Sequence, residues 1–287
     1  MLVRVNLALI AVCALAALAM GVTSRSLLQA SAKREAFAAA GLMMDSAFAI
    51  RAYTATEIRP LLDDKMKTEF RPQSVPSYAA TQNFLKIREQ HADYSYKEAT
   101  LNPTNPRDRT TDWEADIVQR FRNDAAMHEI TGERDTPLGR TLYLARPIRV
   151  AAECLVCHSL PDAAPTTLIT RYGTNNGFGW QVGEIVGAQI VSVPLASATA
   201  SADRVFGRLM AWVGAMLVAF VLVANGALYL LIVRPMQQMA RIADQVSLND
   251  MSAAEFPAGG GRELAALARS FNRMRKSLHK ALQLLET

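Results

Sequence analysis

Cys154-Leu155-Val156-Cys157-His158 sets two thiols one helical turn apart and an imidazole directly after them. Thiols at this spacing can add across the two vinyl groups of a porphyrin, and the adjacent imidazole can lie under the iron as an axial ligand. This is the attachment pattern of a covalently bound c-type haem. Two other chemistries use paired cysteines. A thioredoxin-like redox pair calls for an adjoining βαβ pattern, which is missing, and does not need the histidine. A zinc site needs further ligands, and Cys13, the one remaining cysteine, lies in an apolar N-terminal run where it cannot complete a tetrahedral set. Cys154 and Cys157 are therefore expected to carry haem c, with His158 as cofactor-binding residue and iron ligand.

The elements that would hold such a site are read from hydropathy and charge. The 287 residues are 51% hydrophobic, more than one soluble domain needs. Two runs account for the excess: Val5 to Val22, about long enough to cross a bilayer, and Leu209 to Val233, which crosses with some tilt. The first run also has features of a cleaved signal peptide, with Arg4 ahead of the apolar stretch and Ala14-Leu15-Ala16 or Ala17-Leu18-Ala19 as small-residue sites. Its sustained length and the helical pattern after it favour an uncleaved anchor. A lipoprotein role for Cys13 is disfavoured by the bulky Val12 before it.

Between the runs, Thr23 to Phe206 holds 21 Lys+Arg against 21 Asp+Glu, whereas Arg234 to Thr287 holds 8 basic and 5 acidic residues. The positive excess marks the cytoplasmic side. Because c-type attachment in bacteria is periplasmic, the motif must lie on the other side, which gives the same topology. The expected organisation is a transmembrane helix over 1–22, a periplasmic haem domain over 23–205, a second transmembrane helix over 206–233 and a cytoplasmic module over 234–287, in a bacterial inner membrane. The net charge of +5 then reflects membrane orientation, and no nucleic acid partner is implied.

The haem domain opens with Leu27, Ala30, Phe37, Met44 and Phe48 on a helical stripe. No proline occurs before Pro60, so the first helix should continue outward as a stalk. A connector over Arg71-Pro72 to Val75-Pro76, a helix over Ala79–Gln90 and a strand over Tyr94–Glu98 follow. Asn102-Pro103-Thr104-Asn105-Pro106 is a loop, since residues before proline avoid the helical region. A helix over Asp112–Asp124, a strand over Thr141–Val150 leading into the motif, a Gly/Asn-rich loop over Tyr172–Trp180 and a strand over Ile185–Val193 complete the domain. The fold class is α+β: a PAS-like extracytoplasmic haem domain between two transmembrane helices, followed by an all-α module.

In that module Pro235 breaks the membrane helix, a short helix carries Met239, Ile242 and Val246, and a connector spans Pro257 to Gly261. Glu263 then opens a helix in which Leu264, Leu267, Phe271, Met274, Leu278, Ala281 and Leu285 alternate spacings of three and four, a coiled-coil seam. A juxtamembrane lipid-binding helix would show a wider apolar face. The two helices with their connector, together with Ser270 to Met274, resemble a HAMP signal-relay domain, which implies a homodimer built as a parallel four-helix bundle.

The stretches Tyr96 to Pro103, Asp112-Trp113-Glu114, Gly132-Glu133-Arg134-Asp135, Cys154 to His158 and Asn176 to Trp180 together resemble the family of periplasmic c-haem-binding PAS-like sensor domains, over most of residues 35–195. That resemblance implies haem-based redox or small-ligand sensing, with a gaseous or redox ligand at the iron.

No cysteine between Cys13 and Cys154 offers a thiolate as sixth ligand. Met44, favoured over Met43, lies on the stalk and offers a thioether that would raise the potential; packing as a core filler is the commoner fate of methionine at helical spacing. His91, His128 and Met127 are further candidates, as is a water-occupied or vacant position. For the haem propionates, Arg134, Arg146 and Arg171 are candidates because a guanidinium grips a carboxylate bidentately. No phosphate loop or kinase motif is found. The close carboxylates Asp112, Glu114 and Asp116 read as a solvated helix face. The expected function is a non-enzymatic membrane haem sensor that relays to a separate cytoplasmic signalling protein; a membrane-tethered electron-transfer cytochrome is the alternative.

Overall fold

The computed structural model describes residues 2–137, 139–248, 254–256 and 261–285. The chain divides into two compact units, Thr23–Phe206 and Met1–Val22 with Gly207–Thr287. Helix α1 (Leu2–Tyr53) runs without a break into a π-helical turn, Thr54–Ile58, and then α2 (Arg59–Met66). Pro60 supplies no N–H for the Thr56 carbonyl and its ring crowds that carbonyl, so the helix widens directly before it. The second long helix repeats the device: Leu195–Leu228 gives way to a π turn at Tyr229–Val233 immediately before Arg234-Pro235. Both helices are long and apolar enough to cross a membrane.

Within Thr23–Phe206, α3 (Pro76–Arg88), β1 (Ser95–Thr100), α4 (Asp112–Asn123), β2 (Ile130–Thr136), β3 (Gly139–Arg149), α5 (Leu155–His158), α6 (Thr166–Tyr172) and β4 (Ile185–Pro194) follow in order, and α7 (Leu195–Leu228) begins directly after β4. The strands form an antiparallel sheet in the order β1-β4-β3-β2. Helix α4 is started by a capping box in which Thr111 and Glu114 satisfy each other's exposed backbone groups. The expected helices and strands lie within a few residues of those found. Strand β2 is an addition: its sequence, ITGERDT, is charged and shows no apolar alternation.

Strand alternation sorts the side chains between the two faces. Tyr96, Leu142, Leu144, Val191 and Val193 join Ala36, Ala40, Met44 and Ala47 of α1 and Phe84 of α3 in one core. Ala99, Ala145, Ala188 and Ile190 join Ile117, Val118 and Phe121 of α4 in a second core on the opposite face. The sheet is thus a partition, with α1 and α3 on one side and α4 on the other. Met44 is completely buried beside the stacked rings of Phe84 and Tyr96, so Met44→Ala should cost about 2–5 kcal/mol by leaving a cavity. The unfolding midpoint of the domain would report it.

In the other unit, α8 (Arg234–Ser247) and α9 (Arg262–Leu285) pack through Met239, Phe256 and Ala268, with Ile242, Leu264 and Phe271 beside them. The Asn272 side-chain amide clamps Phe256 by accepting from its N–H and donating to its carbonyl, at 2.9 and 3.1 Å. Leu267, Met274 and Leu278 remain 44%, 60% and 44% exposed. Pro257 to Gly260 of the expected connector, and the side chains of Ala281 and Leu285, lie outside the described residues.

Candidate haem-attachment site

The motif follows β3. A 3₁₀ turn, Ala152–Cys154, passes into the one-turn helix α5, which brings both cysteines to the same short stretch as free, half-buried thiols. Burial pushes the Cys157 thiol above its ordinary value, against the pull of the nearby Arg59 charge, and holds it as the neutral thiol.

His158 is fixed by the loop that returns from α6. Its Nδ1 lies 2.7 Å from the Gly177 carbonyl oxygen. A carbonyl can only accept, so Nδ1 carries the proton and Nε2 presents its lone pair, the state an iron ligand requires. The Trp180 indole stacks on the imidazole with centroids 3.9 Å apart and planes 12° from parallel. Backbone bonds from Gly179 to the Ser159 carbonyl (2.7 Å) and from Trp180 to the His158 carbonyl (3.1 Å) tie the loop to the motif. Burial lowers the His158 pKa, which further favours the neutral imidazole; the Gly177 bond opposes it. Thr104 Oγ1 lies 3.4 Å from Nδ1, so the loop between β1 and α4 joins the same cluster. The imidazole is therefore held in one tautomer and one orientation.

On the α1 face the sheet turns polar one row beyond the core, where Glu98, Gln189 and Arg146 pair across three strands. Arg51 from α1 donates to Glu98 Oε2, and Tyr96 Oη donates to Oε1 at 2.8 Å. Gln189 Oε1 is buried without a hydrogen-bond partner among the described residues. Arg51 is also within electrostatic reach of Cys154.

Burial, with the Glu98 charge beside it, raises the Tyr96 pKa strongly. The unfolded chain loses that phenolic proton near the ordinary value of 10 while the folded chain keeps it, so stability present below pH 10 falls as pH rises further. The slope is at most about 1.4 kcal/mol per pH unit. Denaturant titrations on either side of that value should show the alkaline loss, and Tyr96→Phe should remove it.

The structure distributes the sequence-derived candidates unevenly. His158, Cys154 and Cys157 lie together. Met44 is enclosed in a core whose buried members include no residue of the motif or of the 176–180 loop, and Met43 packs against the same core, on the stripe that α1 buries against the sheet. His91 and His128 are exposed, and Met127 packs in the α4-side core. Arg146 binds Asp45 (2.9 Å) and Glu129 (3.0 Å). Arg134 pairs with Thr141 in the register and stands on the α4 face over Trp113, the opposite face from Arg146. One haem cannot be held by both. Arg171 is exposed on α6, between the motif and the loop. Nothing local in the sequence marks Arg51, Thr104 or Gly177, because what a residue meets is set by packing that no local pattern displays.

Residues 29–194 match the family model described as Tll0287-like, and this is more than half of the chain. The chain belongs to the Tll0287-like family. A second model, the HAMP domain, matches residues 227–280, which makes signal transduction part of this protein's role, and with the two apolar helices marks it as membrane-anchored. No curated protein matches the chain. Among solved structures, the crystal structure of the cyanobacterial heme-protein Tll0287 is similar at 16% identity and a TM-score of 0.44, covering 56% of this chain and 95% of that one.

Proposed function

We propose that this Tll0287-like protein is a membrane-bound c-type haem sensor whose signal passes through HAMP to a separate cytoplasmic partner. The observation that carries the reading is His158, held by its Nδ1 on the Gly177 carbonyl so that Nε2 keeps the lone pair, with two free thiols one and four residues before it, on the same chain as a HAMP domain. Cys154 and Cys157 would hold the porphyrin by thioether bonds, His158 would bind the iron, and Arg171 would meet a propionate. When bound, the haem supplies an iron centre whose oxidation or ligation state can change. Gly177 and Trp180 hold the imidazole ring in one orientation, and Cys157 stays a neutral thiol until it is used.

A PAS-like reading of the sensor domain is supported by helices on both faces of an antiparallel sheet and by a last strand that continues into α7. We place that domain in the periplasm of a bacterial inner membrane, from 23 to 205, and HAMP in the cytoplasm. Exposed Leu267, Met274 and Leu278 support a homodimer, since a second copy would cover them. The relay is a two-state repacking of that bundle, biased by haem state.

Leu267→Cys in a Cys13→Ser background tests it by bis-maleimide cross-linking of oxidised and reduced full-length protein. A several-fold difference in cross-linking rate between the two states is expected. Equal rates would overturn sensing and leave a tethered electron-transfer cytochrome.

A further inference from the structure

The α4 face of the sheet holds an arrangement that the haem reading does not use. Alternation places Gly132 and Arg134 of β2 and Tyr143 of β3 under α4, with Gly132 directly opposite Tyr143. A Cβ on Gly132 would come within 2.5 Å of the Tyr143 phenol oxygen, so glycine is what allows that ring to lie across β2. The Trp113 ring sits 5.5 Å from the Tyr143 ring, and the Arg134 guanidinium carbon lies 3.9 Å from the Trp113 centroid. With the side chains of Ile117, Arg120 and Asp116 and the backbone at Glu133 they line an open cleft of about 240 Å³, below the usual range for drug-sized ligands. None of the groups touching His158 lines it.

Two guanidiniums, Arg134 and Arg120, against the one carboxylate of Asp116 leave the lining net positive. Glu133 is already taken by Lys33 at 2.7 Å and Arg140 at 3.1 Å. Neither Arg134 nor Arg120 has an ion-pair partner among the described residues. A half-buried guanidinium stacked on an indole is pre-oriented, its in-plane N–H groups remaining available to a planar anion.

We infer that this cavity is a binding site for a small diffusible carboxylate, gripped by Arg134 with Arg120 near the mouth, its carbon skeleton lying against Trp113, Ile117 and Tyr143. The carboxylate-binding chemistry expected of Arg134 is thus directed at a soluble ligand on the α4 side, and a sensor with this pocket has a second input. The inference stands on its own lining residues and is independent of the haem assignment.

Thermal unfolding and calorimetry of the purified full-length protein with acetate, lactate, succinate and benzoate test it, with the matching neutral amides and inorganic phosphate as controls. At least one carboxylate should bind saturably and raise the unfolding midpoint, its amide should not, and Arg134→Gln should weaken binding about tenfold or more. Trp113→Phe, which keeps an aromatic wall, should weaken it less. Failure of all four carboxylates to bind, binding unchanged in Arg134→Gln, or equal binding of phosphate would overturn the proposal. Failure of either variant to fold is distinguished by its far-ultraviolet circular dichroism, in which case Arg134→Lys, retaining charge but losing the bidentate fork, must show the weakening instead.

Discussion

Replacing Cys154 and Cys157 together with serine should abolish haem retention after denaturation, taking the haem stain on a denaturing gel from full intensity to none. The two thiols are free, half-buried and within one turn of α5. A serine hydroxyl keeps their size and polarity but does not add to a vinyl group to give a stable linkage of this kind, so the substitution removes the chemistry and little else. Either single variant keeps one thioether and an intermediate stain. His158→Ala behaves differently: both sulfurs remain and the stain persists, while the visible spectrum loses the signature of the proximal imidazole. Full staining of the double variant would remove the cysteines from the account.

Gly177→Ala should destabilise the haem domain by about 2–5 kcal/mol and disturb ligation by His158 while covalent attachment survives. Gly177 has φ +83°, and an added Cβ would lie 2.0 Å from Thr104 Oγ1 and 2.8 Å from the Thr104 backbone nitrogen. The left-handed conformation costs a side chain about 1–2 kcal/mol, and the overlap adds about 1–3 kcal/mol because one of the atoms struck is backbone. Relief requires the loop to withdraw, which takes the Gly177 carbonyl away from His158 Nδ1 and frees both tautomer and ring rotation. Loss of such an outer contact typically weakens ligation about 10–100-fold. Chemical denaturation and the visible spectrum measure the two parts separately. An unchanged spectrum with unchanged stability would mean that the Gly177 bond does not set the histidine.

What could be read in advance is what the chain encodes locally. Cys154 to His158 is contiguous, and its chemistry is visible in residue types alone; Asn176 to Trp180 is legible as a Gly/Asn-rich loop, but not its hold on His158. The length of α1 was legible for a similar reason, because nothing before Pro60 interrupts it. The partition of side chains between the two faces of the sheet was not. Arg134 and Arg146 look equivalent in sequence, and only the pairing of β2 with β3 reveals that they face opposite sides; β2 itself is hidden by its charged composition. Met44 lies on the stripe that periodicity identifies, yet periodicity cannot distinguish a stripe covering a sheet from one covering a haem. The seam of α9 presents the same ambiguity. Its residues share one spacing, but Leu264 and Phe271 pack against α8 and Phe256, beside Ala268 from outside the seam, while Leu267, Met274 and Leu278 stay exposed. Within one helix face, neighbours sort between the chain's own partner helix and open surface only when the second helix is in place.

The most direct measurement is the intact mass of the full-length protein, purified under denaturing conditions from a host that carries the c-type haem attachment machinery. The account predicts a single species heavier than the polypeptide by one haem, with the added mass mapping to the peptide that contains Cys154 and Cys157. An unmodified polypeptide mass, with any haem released on denaturation, would contradict it.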